Sequence, residues 1–550
     1  MNIKMNLNIM FWLSFTLALA VSFPSRAQAT MPAKVKFEIT YPTAISKTPL
    51  TGRMFLVISH TDTLEPRLQV GRYGTQFFGA DFEKLTPGQS VVIDGSTLGY
   101  PINDFKDLPK GEYYVQAVLN KYTEFKRSDG HTLWMHMDQW EGQDWRRSPG
   151  NVYSNVQKIT IDPEKNNVVK LEVIKVIPPI PVPTDTKWVK HIKIKSEKLS
   201  KFWGQPIYIG ATILLPKGYE QNPKEQYPTV YQQGHFSIAA PFRFAEEEKN
   251  EFYKEWNSDN FPRFIAITLQ HPSPYFDDSY AVNTANNGPY GDAIHQELIP
   301  AIEKKFRCIS AGYARLLTGG STGGWESFAL QVFYPDFYGG TWSYAPDPLD
   351  FNNVEGINIY KDKNAFYKEH EWYKVPTPNT RYPASGEVRL TSQQRNIMEL
   401  VNGTKGRSGG QLDIWSAVFG PVGEDGYFKP LFDKKTGAMD PAVAQYWKEH
   451  YDMRYYLEKN WATVGPKLVG KLNIICGRMD DFYLNIGVYH MEDFLTKTTN
   501  PAYGGTITYG ERGGHSWRPY SNAQLIRVMA EHLNKTAPPK TGKAAKTSLN

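Results

Sequence analysis

Leu316-Leu317-Thr318-Gly319-Gly320-Ser321-Thr322-Gly323-Gly324-Trp325-Glu326-Ser327 is the stretch on which the reading of this chain turns. Four glycines enclose one serine. The apolar run 315–318 reads as a short buried strand, and 325–333 reads as a helix. Gly319-x-Ser321-x-Gly323 is a G-x-S-x-G motif in the strand–turn–helix setting that motif needs. A serine at such a turn takes strained backbone angles, and glycines flank it because larger side chains would strike the neighbouring strand and helix. The turn lifts the hydroxyl clear of the sheet. It also sets the hydroxyl near a helix N-terminus, whose free N–H groups favour developing negative charge. A glycine-rich turn without chemistry would carry the same letters, but the strand and helix on either side favour a nucleophile.

A hydroxyl needs a base. In this architecture the partners follow in the order serine, acid, histidine. The strand 472–476 is followed by Gly477-Arg478-Met479-Asp480-Asp481, so both Asp480 and Asp481 qualify as the acid. Glu511-Arg512-Gly513-Gly514-His515-Ser516-Trp517 precedes the last predicted helix and offers His515 as the base. The oxyanion donors expected are the N–H of Thr322 and an N–H from Gln233-Gly234-His235-Phe236, that of His235 or Phe236. The His235 side chain could instead line the pocket. His131, His136 and His490 lack the spacing of a ligand set, and no H-E-x-x-H, paired C-x-x-C or phosphate-binding loop occurs. No metal or cofactor is expected.

The rest of the chain sorts into two domains, as 550 residues require. Val176-Ile177-Pro178-Pro179-Ile180-Pro181-Val182-Pro183-Thr184 is a stiff, extended spacer. Residues 30–176 before it read as an all-β sandwich, with β-rich segments at 34–40, 53–59, 89–93, 113–119 and 168–174 and no helix of useful length. The linker is 177–186. After it, a hairpin-like pair (189–196 and 207–215) leads into short buried strands at 229–233, 264–269, 315–318 and 472–476. These alternate with helical stretches such as 290–306, which predicts a mainly parallel sheet covered on both faces over 187–535. A long polar segment, about 352–467, shows no clear strand and reads as an insertion over one end of the sheet. The final residues, 536–550, read as a disordered tail.

Composition bounds the function further. Hydrophobic residues are 41% and charged residues 21%, as in a globular protein. The formal charge is +6; the segment 1–29 carries two of those charges, Lys4 and Arg26, leaving +4. Several lysines lie in the tail, so nothing points to nucleic acid. Lys4, the apolar run 10–21 and Ala27-Gln28-Ala29 read as a cleavable signal, predicting a periplasmic or secreted protein. No later run is long and apolar enough to span a membrane. Cys308 and Cys476 are read as free, buried thiols. Aromatic residues make up 14%, which suits a large core or a surface that stacks on sugars and arenes.

With these motifs in view, 187–535 resembles the esterase family of α/β-hydrolases that includes esterase D, enterochelin esterases, feruloyl esterases, acetyl esterases of polysaccharide side chains and mycolyltransferases. The likeness rests on Ala211-Thr212-Ile213-Leu214-Leu215-Pro216-Lys217-Gly218-Tyr219, on Tyr227-Pro228-Thr229-Val230-Tyr231, and on the elbow at Ser321. Gly477-x-x-Asp480 and Gly514-His515-x-Trp517 complete it. The resemblance implies a serine esterase with Ser321, His515 and Asp480 as nucleophile, base and acid, and it favours Asp480 over Asp481. One departure is the order Gly234-His235, where the family has His-Gly; this bears on the second oxyanion donor. The first domain adds nothing to the likeness.

The pocket wall is expected from the loops 270–289 and 344–351, with Tyr275, Asp278 and Asp347 as substrate contacts beside Trp325 and Trp517; Asp347 is also a fallback acid. The expected partner is a small-molecule or polysaccharide ester, carbohydrate-linked or phenolic. Acyl transfer or peptide cleavage on the same scaffold is the alternative, as is a glycan-binding protein with a vestigial hydrolase site. The oligomeric state is not legible.

Overall fold

The computed structural model describes residues 35–539. The predicted signal segment, 1–29, and residues 540–550 of the predicted tail lie outside the described residues.

The second domain is built on one eight-stranded sheet. Its strands are β1 (Val189–Ser196), β2 (Ile207–Leu214), β3 (Thr229–Gln233), β4 (Ile265–Gln270), β5 (Arg315–Ser321), β6 (Gly340–Pro346), β7 (Leu472–Gly477) and β8 (Thr506–Gly510). They lie in the order β1-β2-β4-β3-β5-β6-β7-β8. β1 and β2 pair antiparallel, β2 and β4 antiparallel, and all later neighbours parallel. The central strands are buried on both faces, so their sequences read as continuous apolar runs. One face packs on the helix Thr322–Phe333 and the other on the C-terminal helix Asn522–Thr536. The chain winds one way from β3 to β4 and the other way from β5 onward, so the switch point lies between β3 and β5, at whose carboxyl ends the 233–236 loop and the Ser321 turn meet.

Nine strands of the first domain form one continuous sheet about a single core. Phe37 and Ile39 of Val35–Thr40 meet Met54, Leu56 and Ile58 of Leu50–Ser59 and Val115 and Leu119 of Gly111–Lys121. Asn167–Val176 pairs in parallel with the first strand and antiparallel with Val152–Ser154, which makes the sheet continuous.

Two expectations need correction. The insertion does contain strands: the hairpins Tyr367–Glu369/Lys374–Pro376 and Pro378–Arg381/Val388–Thr391. Their residues are mostly exposed, polar or proline, and carry no apolar alternation. Thr536, assigned to the tail, closes the last helix. Both cysteines are free and buried.

The two domains touch over a broad apolar face. Phe55, Val57, Phe77, Val118 and Trp145 of the first domain cluster with Met398 and Val401 of the insertion helix Ser392–Asn402. The side chain of Arg53, itself buried, donates to the Val401 carbonyl at 3.0 Å and the Leu400 carbonyl at 3.1 Å.

Candidate active site

Ser321 ends β5 at φ 57° and ψ −123°, a conformation a non-glycine residue holds only when its surroundings enforce it. The glycines are required sterically. A Cβ on Gly323 would stand 2.2 Å from the Gln233 carbonyl oxygen, and one on Gly319 2.3 Å from the Gly323 oxygen. One on Gly324 would stand 2.7 Å from the Tyr344 oxygen. β5, β3 and the elbow helix approach so closely that only glycine fits.

The histidine loop and acid loop are tied by backbone bonds. Met479 N–H donates to the Gly513 carbonyl at 2.9 Å, and Arg478 N–H to the Gly510 carbonyl at 2.9 Å. His515 Nδ1 lies 2.7 Å from Asp480 Oδ2. Asp480 is fully buried, and its Oδ1 accepts from the N–H groups of Phe482 (2.9 Å) and Leu484 (3.2 Å). Asp481 has a different task, since its Oδ1 accepts the His515 backbone N–H at 2.7 Å. Burial pushes the His515 ring down, but the Asp480 hydrogen bond and charge, with that of Asp347, hold it above the ordinary histidine value.

The Ser321 hydroxyl donates to Asp347 Oδ1 at 3.3 Å. Among the described residues no hydrogen bond joins Ser321 to His515. Asp347 is the hub of a buried ring that sequence reasoning missed in part. Its Oδ2 accepts from Tyr280 (2.5 Å), Gln411 (3.1 Å), Thr322 (3.2 Å) and Trp415 (3.3 Å). Gln411 and Trp415 come from the insertion and carried no motif. Burial pushes the Asp347 carboxyl up, against the Tyr280 bond and the nearby His235 and His515.

The N–H groups expected as oxyanion donors are without protein acceptors among the described residues. Thr322 is the first helical residue, so its N–H has no intrahelical acceptor. Among the described residues neither the His235 nor the Phe236 N–H has a protein acceptor. The first domain braces this loop: the Phe236 Cβ is 2.9 Å from where a Gly142 Cβ would stand, and Trp140 meets the Phe236 ring edge-on at 5.3 Å.

The predicted wall needs revision. Tyr275 and Trp325 are wholly buried and pack within the core, Tyr275 between Trp203 and Phe428 and Trp325 against Tyr280 and Phe419. Neither lines the cleft, because the loop that carries Tyr275 and the elbow helix that carries Trp325 turn these large rings into the core. Trp517 packs on Gly510 and Gly513. Asp278 is buried near Glu326 and His235, and burial together with Asp277 pushes its carboxyl well up.

A cleft of about 450 Å³ opens between the first domain, the 233–236 loop and the insertion, and it reaches Gln411, the side chain bonded to Thr322 and Asp347 beside Ser321. The first domain lines it with Arg72 and Trp145, the oxyanion loop with His235 and Phe236, and the insertion with Arg395 and Gln411. One group of possible metal ligands occurs among the described residues: His235, Asp277 and Asp278, with ligand atoms within 4.8 Å of one another. His235 Nδ1 already pairs with Asp277 Oδ1 at 3.1 Å. Burial lowers the ring's basicity, but Asp277, Asp278 and Asp347 together raise it to about 10. Half of the side chain is exposed, so solvent screens part of that attraction. The Asp277 contact already occupies Nδ1, and a metal would have to break it.

The sheet order and the strained serine between β5 and its helix make the second domain an α/β-hydrolase of the serine type. Residues 207–377 match the family model described as "Putative esterase". The matched stretch lies within the hydrolase domain, and its likeness to that family supports a carboxylic ester hydrolase. No curated protein matches the chain. Among solved structures, the chain is similar to a ferulic acid esterase (15% identity, 63% of this chain and 99% of that one, TM-score 0.37). Others are the fluorophosphonate-binding serine hydrolase FphF of Staphylococcus aureus (14%, 63% and 98%, TM-score 0.35) and the S-formylglutathione hydrolase FrmB of the same organism (14%, 63% and 99%, TM-score 0.34).

Proposed function

We propose that this is an exported esterase in which Ser321 is the nucleophile, His515 the base and Asp480 the acid, acting on carbohydrate-linked or phenolic esters. The observation that carries the reading is the 2.7 Å bond from His515 to a fully buried Asp480 whose other oxygen is fixed by two backbone N–H groups. That bond sets the tautomer, with the proton on Nδ1 and Nε2 left to accept.

On substrate entry the Ser321 hydroxyl turns from Asp347 to His515 Nε2. Its oxygen attacks the ester carbonyl carbon and its proton passes to Nε2. The carbonyl oxygen takes the negative charge and is met by the Thr322 N–H and one from His235 or Phe236, each worth about 3 kcal/mol in comparable sites. His515 then protonates the departing alcohol, and water attacks the acyl-enzyme by the same route in reverse. Aromatic rings in the cleft, Phe236, Phe276 and Trp145, support a planar or sugar-bearing substrate. Export rests on the signal-like segment 1–29.

A fluorophosphonate probe, with the modified residue mapped by mass spectrometry, tests the assignment. Labelling at Ser321, abolished in Ser321→Ala and cut at least a hundredfold in rate in His515→Ala, is expected. A folded protein that stays unlabelled sinks it.

A further inference from the structure

The cleft carries a charge that the ester chemistry does not use. Arg72 comes from the first domain, just after the short helix Pro66–Gln69. Its backbone is pinned, since the Tyr100 hydroxyl donates to the Arg72 carbonyl at 2.8 Å. The adjacent Tyr73 lies under the Arg389 guanidinium of the insertion at 3.3 Å. The Arg72 guanidinium stands 5.0 Å over the Phe482 ring, and Phe482 meets the His515 ring edge-on at 4.8 Å. One aromatic ring therefore separates this cation from the proposed base.

The carboxylates that line the cleft are already matched. Asp144 is held by Arg146 (2.6 Å) and Arg147 (2.9 Å), and Glu141 by His136 (2.7 Å). Asp277 is held by His235 at 3.1 Å. Glu399 faces Arg395 at 3.3 Å, but each of its oxygens also accepts a backbone N–H, from Leu412 and Asp413 at 3.0 Å. Arg72 alone among the arginines of this cleft has no carboxylate within 4.0 Å among the described residues. Arg395 adds a like charge nearby, and burial and that neighbour both press the Arg72 guanidinium below its ordinary value. The carboxylate that acts on it is Glu355, which forms no ion pair with it within 4.0 Å among the described residues and whose own carboxyl burial pushes up, against the pull of Arg395 and Arg72. A partly buried guanidinium on a fixed backbone, met by the Phe482 ring and the Tyr73 hydroxyl but by no carboxylate within 4.0 Å among the described residues, leaves donors free to take an anion in the cleft.

We propose that Arg72, supported by Arg395, binds a carboxylate on the substrate, so that this enzyme prefers esters bearing a free carboxyl group, as on a uronic acid or a dicarboxylic hemiester. The planar fork of the guanidinium suits two-point binding of a carboxylate. The substrate would bridge the domains, with its anion on the first domain and its ester carbonyl at Ser321. This specificity rests on the esterase reading, yet the binding can be tested apart from turnover.

The decisive measurement is calorimetric binding to full-length Ser321→Ala, which removes turnover, with two matched pairs of esters. 4-Nitrophenyl hemiadipate against 4-nitrophenyl hexanoate places the charge on the acyl side. 4-Carboxyphenyl acetate against phenyl acetate places it on the alcohol side. In at least one pair the charged ester should bind about tenfold tighter or better. That ratio should fall to near one when Arg72→Gln is added and recover in part with Arg72→Lys. Equal affinities in both pairs, or a ratio that Arg72→Gln leaves intact, overturns the proposal. Probe labelling of Ser321 in the otherwise native chain reports separately on the esterase reading. If labelling fails while charged-ester binding follows Arg72, the site is a carboxylate-binding cleft and only the chemistry is lost.

Discussion

Ser321 and Asp347 share a hydrogen bond of 3.3 Å, while His515, the proposed base, is held by a different carboxylate, Asp480. The Asp347 charge is therefore felt by both the nucleophile and His515. Because Asp480 and Asp347 raise the His515 pKa against its burial, the ring stays protonated to a higher pH than an ordinary histidine. A general base must be neutral, so kcat/KM should fall as the solution is acidified through a midpoint above the usual value of about 6.5. Asp347→Asn removes one of the charges that raise that pKa and should move the acid limb downward. A pH–rate profile checks this; an unmoved or upward-shifted limb would remove Asp347 from the electrostatics of the base. At this scale Ser321, His515 and the pair Asp480/Asp481 are legible in sequence, because elbow and loop glycines mark where backbones must pass closely. Gln411 and Trp415 are not. They reach Asp347 from far along the chain, and their roles come from packing that no local pattern records.

The strand–elbow–helix unit shows how little freedom that close passage leaves. The atoms a Gly323 Cβ would meet are the backbone oxygen and carbon of Gln233, at 2.2 and 2.4 Å, and a strand at the centre of a sheet cannot yield them. Gly323→Ala should displace the elbow from the oxyanion loop and lower kcat about a hundredfold, the scale of a misplacement near 1 Å. At Gly320 the nearest atom is Arg518 Nη2, at 2.6 Å, the tip of an exposed side chain that can swing aside. Gly320→Ala should lower kcat far less. Steady-state kinetics of the two variants decide the point, and equal losses would mean that side-chain bulk at the turn, not strand proximity, sets the requirement. Elements with continuous apolar runs, β3, β4, β5 and β7, are readable in sequence to within a few residues. β8, at the sheet edge, has no such run, since Thr506 is exposed and most of its neighbours are half-buried. The insertion hairpins are hidden for the same reason.

At the scale of the molecule, the stiff linker suggests two domains that could act apart, and the interface argues otherwise. Arg53 spans it. Its buried guanidinium holds Gly79 and Asp81 of its own sheet, at 2.9 and 2.8 Å, together with the Val401 and Leu400 carbonyls of the insertion. Around it Phe55, Phe77 and Trp145 pack on Met398 and Val401, and the Trp145 indole N–H donates to the Asn402 side chain at 2.9 Å. None of this is legible in sequence, because no composition or spacing says which insertion residue a β-strand of another domain will meet. Arg53→Ala would strand these acceptors and leave Asp81 to Arg407 and Thr404 alone. The loss should be about 3 kcal/mol, the scale of breaking a largely buried charged group out of its network, moderated by the partial exposure of Asp81. Denaturant unfolding measures it. The wild type should lose both domains in one transition, and the variant should show a lower midpoint or a first transition in which the interface opens. Activity should fall with that first step, since the cleft wall and the brace on Phe236 belong to the first domain. An Arg53→Ala protein that unfolds within about 0.5 kcal/mol of the wild type would show that the domains hold their places without this peg, and that the catalytic cleft owes its shape to the apolar face alone.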